Sequence, residues 1–240
     1  MSAEAGVGER LAAVRERIER AATRAGRSAQ DVVLVGVAKR HPAALVTAAV
    51  RAGLRDVGEN YYQEAREKIP KVRVSLEGLE CALPRWHFVG RLQRNKAGHV
   101  AQSFDVVQTL DRSDLGAALD RRAGQANRRL EVLIEVNLSG EATKGGVDPD
   151  RLPDLLAAST AWANLDVAGL MTMPAPGADP EAARPAFARL RRLAESLRGA
   201  PGGAGLRALS MGMSADFEIA IEEGSTLVRV GTAIFGPREP

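Results

Sequence analysis

The chain has a single cysteine, Cys81, in 240 residues. One thiol excludes an internal disulfide framework, and no Cys/His spacing suits zinc, so the sequence predicts no metal site and Cys81 is most simply a small hydrophobe. Aromatic residues are also scarce, at 4%. So few aromatic side chains argue against base-stacking platforms for nucleic acid.

Long apolar runs and blocks of one charge are absent as well. No stretch approaches the roughly 18 apolar residues that cross a bilayer, and the first ten residues lack the basic-then-apolar order of a signal peptide. We therefore expect a cytoplasmic protein without membrane contact. The net charge of +3 is spread over interleaved acids and bases, as from Glu9 to Arg24, which favours solvated helix faces over a nucleic-acid surface.

What the chain does contain is an alternation of short apolar runs with longer helical patterns, which is typical of a parallel α/β sheet. Strands are predicted at 31–38, 55–59, 85–89, 104–110, 130–137, 165–171, 207–211 and 226–231. Helices are predicted at about 8–25, 42–53, 60–70, 94–102, 112–126, 149–163, 179–199 and 214–223. Eight strands interleaved with helices predict one (β/α)8 TIM barrel that occupies residues 1–240 as a single domain.

The alternative fold is an open, doubly wound sheet. That fold needs a glycine-rich G-x-G-x-x-G turn after the first strand. Here the first strand ends in Ala38-Lys39-Arg40-His41. A dinucleotide-binding fold is therefore disfavoured.

Lys39 ends the apolar run Val32–Ala38 and is one of only five lysines, against 28 arginines. Arginine stays protonated near neutrality, whereas a desolvated or crowded lysine can lose its proton and attack an aldehyde. The alternative is a strand-end lysine that lays its stem on apolar surface. At the mouth of a barrel, where active groups collect, Lys39 is a candidate covalent site for a carbonyl ligand.

Two loops near the end of the chain are candidates for phosphate binding. Ser210–Ser214 is predicted to lead into a helix that starts around Ala215, where Ser214 can cap the helix or hold an anion. Gly231-Thr232 closes the eighth strand and can add backbone N–H groups. A plain cap or a tight turn explains either loop alone, but together, opposite Lys39, they predict a ligand with both an aldehyde and a phosphate. The simplest such ligand is pyridoxal 5′-phosphate (PLP).

Six motifs, in order from about residue 8 to 238, carry a family resemblance. They are Val37-Ala-Lys39, Gly58-Glu-Asn-Tyr61, Trp86-His-Phe-Val-Gly-Arg-Leu-Gln-Arg-Asn-Lys96, Gly169-Leu-Met-Thr172, Leu209-Ser-Met-Gly-Met-Ser214 and Val228-Arg-Val-Gly-Thr-Ala-Ile-Phe-Gly236. With these motifs the chain resembles the pyridoxal phosphate homeostasis protein family. That family resembles the N-terminal, fold type III barrel of alanine racemases but lacks their second β-domain.

The resemblance implies a role for each site residue. Lys39 would form the internal aldimine with PLP, and Asn60 would lie beside the ring. Arg229 would face the pyridine nitrogen, where its fixed charge discourages ring protonation and weakens the cofactor as an electron sink. The phosphate would be bound by Ser214, Ser210 and the amides of Gly231 and Thr232.

Two positions stay open at this point, and one motif departs from the family pattern. His87 either lines the pocket or is a hydrogen-bonded core residue. Lys144 matches a family lysine in the loop after the fifth strand, and it either takes part in PLP loading or is an exposed loop lysine. Ala38 stands where members commonly have Ser or Thr, and Arg40–Pro42 stands for Thr-Lys-Pro, which puts a local hydrogen bond in doubt but not the aldimine.

The resemblance implies a non-catalytic carrier that holds PLP as a lysine aldimine, buffers it and delivers it to apo-enzymes through transient contacts. A single, self-sufficient barrel favours a monomer. The alternative is a weakly active amino-acid racemase. Racemisation needs a base on each face of the cofactor, and in the resembling racemases one base is a tyrosine from the second domain of a neighbouring subunit. This chain ends at Pro240, so we expect no robust turnover. A third hypothesis is a regulatory interaction protein with bound PLP as its signal.

Overall fold

A computed structural model describes residues 5–139, 145–174 and 179–237. Its strands are β1 (Val33–Val37), β2 (Asp56–Glu59), β3 (Arg85–Phe88), β4 (Val106–Leu110), β5 (Leu130–Glu135), β6 (Leu165–Met171), β7 (Ala208–Ser210) and β8 (Leu227–Val230). Neighbouring strands pair in chain order and in parallel, and β1 also pairs with β8, so the sheet closes into a barrel. All eight predicted strands and the barrel are confirmed.

Helices follow the strands on the outside of the barrel. They are α1 (Ala5–Arg24), α2 (Ala43–Arg51), α3 (Tyr62–Leu76), α4 (Ala97–Ser103), α5 (Ser113–Gln125), α6 (Leu152–Ser159), α7 (Arg184–Leu197), α8 (Phe217–Glu222) and α9 (Thr232–Phe235). The predicted opening helix is confirmed as α1, whose residues Leu11, Val14, Ile18 and Ala22 are buried. This spacing of three and four residues buries one face of the helix against the barrel. The four-residue α9 was not predicted.

Most strand residues are buried because helices cover one face of the sheet and the packed lumen of the barrel lies on the other. A Cβ atom at Gly36 would lie 2.5 Å from Leu54 in the outer layer, whereas one at Gly58 would lie 3.2 Å from Val35 and 3.3 Å from Val37. Val35, Val37 and Gly58 therefore share the inner face, while Gly36 faces the helices.

The core lies mainly between the strands and the helices. A second, smaller cluster consists only of strand residues, namely Leu133, Ala168 and Met171 with Ala208 packed against them. Within the described ranges, no helix is both long and apolar enough to cross a membrane. Because the eight strands are parallel, their carboxyl ends meet at one rim, and the predicted site residues follow these ends.

Candidate functional site

Lys39 lies in a tight turn at the end of β1. The amide of His41 donates to the carbonyl oxygen of Ala38 at 3.1 Å and closes the turn. Arg40 has a φ of 60°, in the left-handed region that non-glycine residues seldom adopt, and its amide donates to Glu64 at 2.8 Å. Lys39 itself is half-buried. The lysine is thus held at the rim by an ordered turn, as predicted for a residue that ends the first strand.

Below this turn, a buried lysine joins β1, β2 and α3. Lys68 Nζ donates to the carbonyl oxygen of Ala38 at 2.7 Å and to Glu59 Oε1 at 2.6 Å. Burial raises the pKa of Glu59 from 4.5 to about 7, against the lowering effect of Lys68. The second carboxylate oxygen of Glu59 is buried and has no hydrogen-bond partner among the described residues. Sequence reasoning missed Lys68, although its spacing with Ala65 and Val72 placed it on the buried face of α3.

Asn60 follows β2 at the same rim. Its side-chain oxygen Oδ1 is buried and likewise has no partner within the described part of the chain. The end of β3 passes close above it, because a Cβ atom at Gly90 would overlap the carbonyl oxygen of Asn60. An unpaired buried acceptor costs about 1–3 kcal/mol. Asn60 therefore offers an unused polar atom to a ligand at the rim, where the sequence placed it.

Arg229 of β8, the strand that pairs with β1, is buried at this rim. Its Nη2 donates to the carbonyl oxygen of Thr172 at 3.0 Å, and its Nη1 donates to Ser210 Oγ. Burial lowers the pKa of Arg229 to about 10, while Glu135 and Asp216 raise it. The guanidinium therefore remains charged at neutral pH.

Ser210 and His87 are fully buried, and both form hydrogen bonds to other protein groups. Ser210 Oγ donates to Gln108 Oε1 at 2.7 Å. The ring nitrogens of His87 lie 2.8 Å from Asp56 Oδ1 and 2.9 Å from Gln108 Nε2. For His87 the geometry favours the second interpretation, a hydrogen-bonded core residue. For Ser210, it favours a contact with Arg229 over a contact with phosphate.

A second carboxyl group, that of Glu135, lies buried at the end of β5. Burial raises its pKa from 4.5 to about 7, Asp111 raises it further, and Arg229 and Arg91 lower it. Gly145 passes beside it, since a Cβ atom there would lie 3.3 Å from both carboxylate oxygens. Sequence analysis missed Glu135, although a carboxylate at the end of an apolar strand was a visible signal.

The two loops predicted to bind phosphate do meet. The amide of Gly231 donates to Ser214 Oγ at 3.3 Å. Gly231 also lies against β1, since a Cβ atom there would be 3.1 Å from the carbonyl oxygen of Val37. Both Ser214 and Gly231 are half-exposed, and Thr232 is exposed at the start of α9. The ends of β1, β7 and β8 thus come together around polar groups.

The helix prediction after this loop was wrong by a few residues. The structure begins α8 at Phe217, with Asp216 as its N-cap residue. Asp216 Oδ1 accepts from the amide of Met213 at 2.6 Å and holds residues 213–216 in a turn instead of a first helical turn. Ser214 is therefore a turn residue, not the cap of α8. Lys144, the alternative covalent site, lies outside the described residues.

Comparisons with known proteins show which family the chain belongs to. A model of the family described as alanine racemase, N-terminal domain, matches residues 10–239. The pyridoxal phosphate homeostasis protein of Aquifex aeolicus (strain VF5) is 42% identical over 231 residues, which are 96% of this chain and 98% of that protein. The chain belongs to the pyridoxal phosphate homeostasis protein family.

Solved structures place this family member among similar barrels. PipY of Synechococcus elongatus PCC7942, solved with PLP bound, has a TM-score of 0.82 and 34% identity, over 96% of this chain and 100% of PipY. Alanine racemase from Corynebacterium glutamicum has a TM-score of 0.68 and 17% identity, over 95% of this chain and 62% of the racemase. The second likeness shows the shared barrel fold alone.

Proposed function

We propose that this protein binds PLP at the rim of its barrel and acts as a PLP carrier in intracellular homeostasis. The observation that carries the proposal is the position of Lys39, which lies in the turn directly after β1 in a barrel whose close relatives are named for PLP homeostasis or were solved with PLP. When bound, PLP supplies an aldehyde that condenses with an uncharged amine. Lys39 is the attachment point in this proposal.

The residues at the rim fit the remaining parts of PLP. Ser214 and the amides of Gly231 and Thr232 would hold the phosphate, since hydroxyl and backbone N–H groups at strand ends suit an anion. Arg229 would face the pyridine nitrogen. Asn60 has a buried oxygen that lacks a donor among the described residues, and PLP carries a phenolic hydroxyl that can supply one.

In this proposal, Ser210 and His87 do not contact PLP directly. Ser210 has already used its single hydroxyl proton on Gln108. His87 is fully buried between Asp56 and Gln108. We propose instead that both residues help to hold Arg229 in position.

A carrier suits this site better than an enzyme because of Arg229. Its guanidinium keeps its proton at neutral pH even with a pKa lowered to about 10. A cation opposite the pyridine nitrogen opposes protonation of the ring, and an unprotonated ring is a weak electron sink. Carbanion chemistry such as racemisation is therefore handicapped, and we expect amino-acid turnover to be weak or absent.

Delivery of PLP requires the lysine of a recipient enzyme to reach the bound aldehyde. We propose that apo-enzymes contact the open rim transiently, because Lys39 lies there. The single-domain organisation, the monomeric state and the cytoplasmic location expected from the sequence stay predictions.

The decisive experiment locates the attachment point. The protein is loaded with PLP, its near-ultraviolet and visible absorbance is recorded before and after borohydride reduction, and reduced peptides are mapped by mass. We expect the pyridoxyl group on Lys39 and complete loss of the visible band in Lys39→Ala. Lys71→Ala, at an exposed position on α3, is the control and should behave as the wild type. A pyridoxyl group on Lys144, or a wild-type protein that binds no PLP, would overturn the assignment or the function respectively.

A further inference from the structure

A chain of hydrogen bonds crosses the lumen of the barrel from β2 to β8. It runs from Asp56 to His87, Gln108, Ser210 and Arg229. His87, Gln108 and Ser210 have no solvent exposure, and Asp56 and Arg229 are also buried. Every link joins two side chains, so no backbone ladder fixes this path.

The link between Gln108 and Ser210 shows that the path passes through the lumen. Gln108 belongs to β4 and Ser210 to β7, and β5 and β6 lie between them in the closed sheet. A side-chain hydrogen bond of 2.7 Å between these strands can form only across the inside of the barrel. Arg229 is thereby tied to the opposite wall.

The donor and acceptor roles of these side chains give the hydrogen-bond chain one direction. The Asp56 carboxylate only accepts, so His87 carries its proton on Nε2 and accepts at Nδ1 from the Gln108 amide nitrogen. The Gln108 oxygen then accepts from the Ser210 hydroxyl, which leaves the Ser210 oxygen to accept from Arg229. With His87 neutral, each proton points away from Arg229, whereas a doubly protonated His87 would donate to the Gln108 oxygen and turn the Gln108 amide nitrogen toward Ser210.

We propose that His87 and Gln108 are positioning residues, which act through Ser210 to hold the Arg229 guanidinium in one orientation at the rim. None of the protons in this hydrogen-bond chain points toward Arg229. The chain therefore aims the guanidinium without supplying a proton to a ring bound beside it. The consequence for PLP rests on the proposed function, whereas the orientation of Arg229 does not.

The first test uses the cofactor-free, wild-type protein and needs no variant. Nitrogen-15 NMR of the imidazole rings reports which nitrogen carries the proton, and the chain has only three histidines to assign. We expect His87 to be neutral, with its proton on Nε2. A proton on Nδ1, or on both nitrogens, at pH 7.5 would reverse the Gln108 amide and overturn the directional chain.

The second test interrupts the hydrogen-bond chain at Gln108, its central residue. Gln108→Leu removes both polar contacts, whereas Gln108→Glu can still offer an acceptor to Ser210 and a proton to His87. In cofactor-free protein, we expect the Arg229 guanidinium N–H signals to be slowly exchanging in wild type and Gln108→Glu, and averaged by rotation in Gln108→Leu. Ser210→Ala provides a second break if the leucine variant fails to fold. Unchanged Arg229 signals in a folded broken variant would overturn the proposal.

PLP affinity then extends the test to the cofactor. Loss of one neutral hydrogen bond corresponds to at most roughly tenfold weaker binding. We expect about this loss for Gln108→Leu, with Gln108→Glu close to wild type. Wild-type affinity in Gln108→Leu would overturn the PLP consequence. A wild-type protein that binds no PLP would defeat the proposed function, while the NMR results would still decide the role of His87 and Gln108.

Discussion

On the β1–β2 side of the rim, Glu59 and Asn60 each keep one buried side-chain oxygen without a partner in the described part of the chain. On the β7–β8 side, Ser210 both donates and accepts, and Arg229 binds both Ser210 and the carbonyl oxygen of Thr172. Of the three unpaired buried side-chain atoms found among the described residues, two thus lie on one side of one rim.

The two sides of the site differ in whether their buried polar groups are paired before a ligand binds. A fully paired network fixes the position of its members before a ligand arrives, as on the Arg229 side. At Asn60, the unpaired buried acceptor has a cost in the ligand-free protein that a donor on the ligand can remove. The β1–β2 side, which contains Lys39, is therefore the side where ligand binding should change the energetics most.

The largest expected effect comes from breaking the β1–β2 side at Lys68. Lys68→Met leaves the Glu59 carboxylate buried without its cation, and loss of one partner of a buried pair costs roughly 3–5 kcal/mol. The loss should be larger at pH 8 than at pH 5.5, because a protonated Glu59 needs no cation. Denaturant unfolding at both pH values measures it.

The matched control for this variant is Lys71→Met, on the same helix but exposed. It should change the free energy of unfolding by less than about 0.5 kcal/mol. Equal losses in the two variants would mean that the Lys68–Glu59 contact does not stabilise the folded protein.

On the opposite side, Glu135 gives a pH-dependent effect of intermediate size. Its pKa is raised from 4.5 to about 7 in the folded protein, chiefly by burial. Between these values the folded state keeps a proton that the unfolded state has lost, so the free energy of unfolding falls as pH rises. The difference corresponds to at most about 3 kcal/mol. Glu135→Gln should remove this fall, so the variant gains on the wild type from pH 4.5 to 8.

Glu222→Gln tests the sign of the Glu135 effect. A hydrogen bond from Arg184 holds the pKa of Glu222 below its usual range. Its stabilisation is present at neutral pH and lost in acid, so Glu222→Gln should approach the wild type as pH falls. Urea titrations that extend below pH 4.5 should therefore show Glu222→Gln approaching the wild type only in acid, whereas Glu135→Gln gains on the wild type between pH 4.5 and 8. A Glu135→Gln variant that does not gain over that range would contradict the burial argument for Glu135.

The sequence was sufficient for the barrel because most of its strands are short, mainly apolar runs that are buried on both faces, and such runs can be recognised without knowledge of tertiary contacts. Lys39 and Asn60 could also be predicted, since position at a strand end follows from strand order alone. The meeting of Ser214 with Gly231 followed from the same reasoning. The start of α8 did not, because it depends on the contact between Asp216 and the amide of Met213.

The lumen network was beyond the reach of sequence patterns. Gln108 and Ser210 are about a hundred residues apart, and their contact exists only because the barrel closes with both side chains on its inner face. The two interpretations of His87 could not be separated for the same reason, since its partners come from β2 and β4. Lys68 was overlooked because a single lysine on a helix face usually extends to solvent.

The smallest expected effect on the ligand-free protein is that of Asn60→Ala. Its buried oxygen makes no hydrogen bond to a described residue, so removing it should lower the free energy of unfolding by less than about 1 kcal/mol, in contrast to a paired buried group. The same variant should weaken PLP binding roughly tenfold if a donor on the ligand reaches this atom.

The Asn60→Ala variant is interpreted from two measurements made together, the free energy of unfolding and the affinity for PLP. The control Lys71→Ala, at an exposed position in the second half of α3 and hence away from the rim, should change neither quantity. A large stability loss without an affinity loss in Asn60→Ala would make Asn60 a structural residue. It would also remove the distinction between a pre-paired Arg229 side and a β1–β2 side completed by the ligand, because the unpaired oxygen would then have no role in binding.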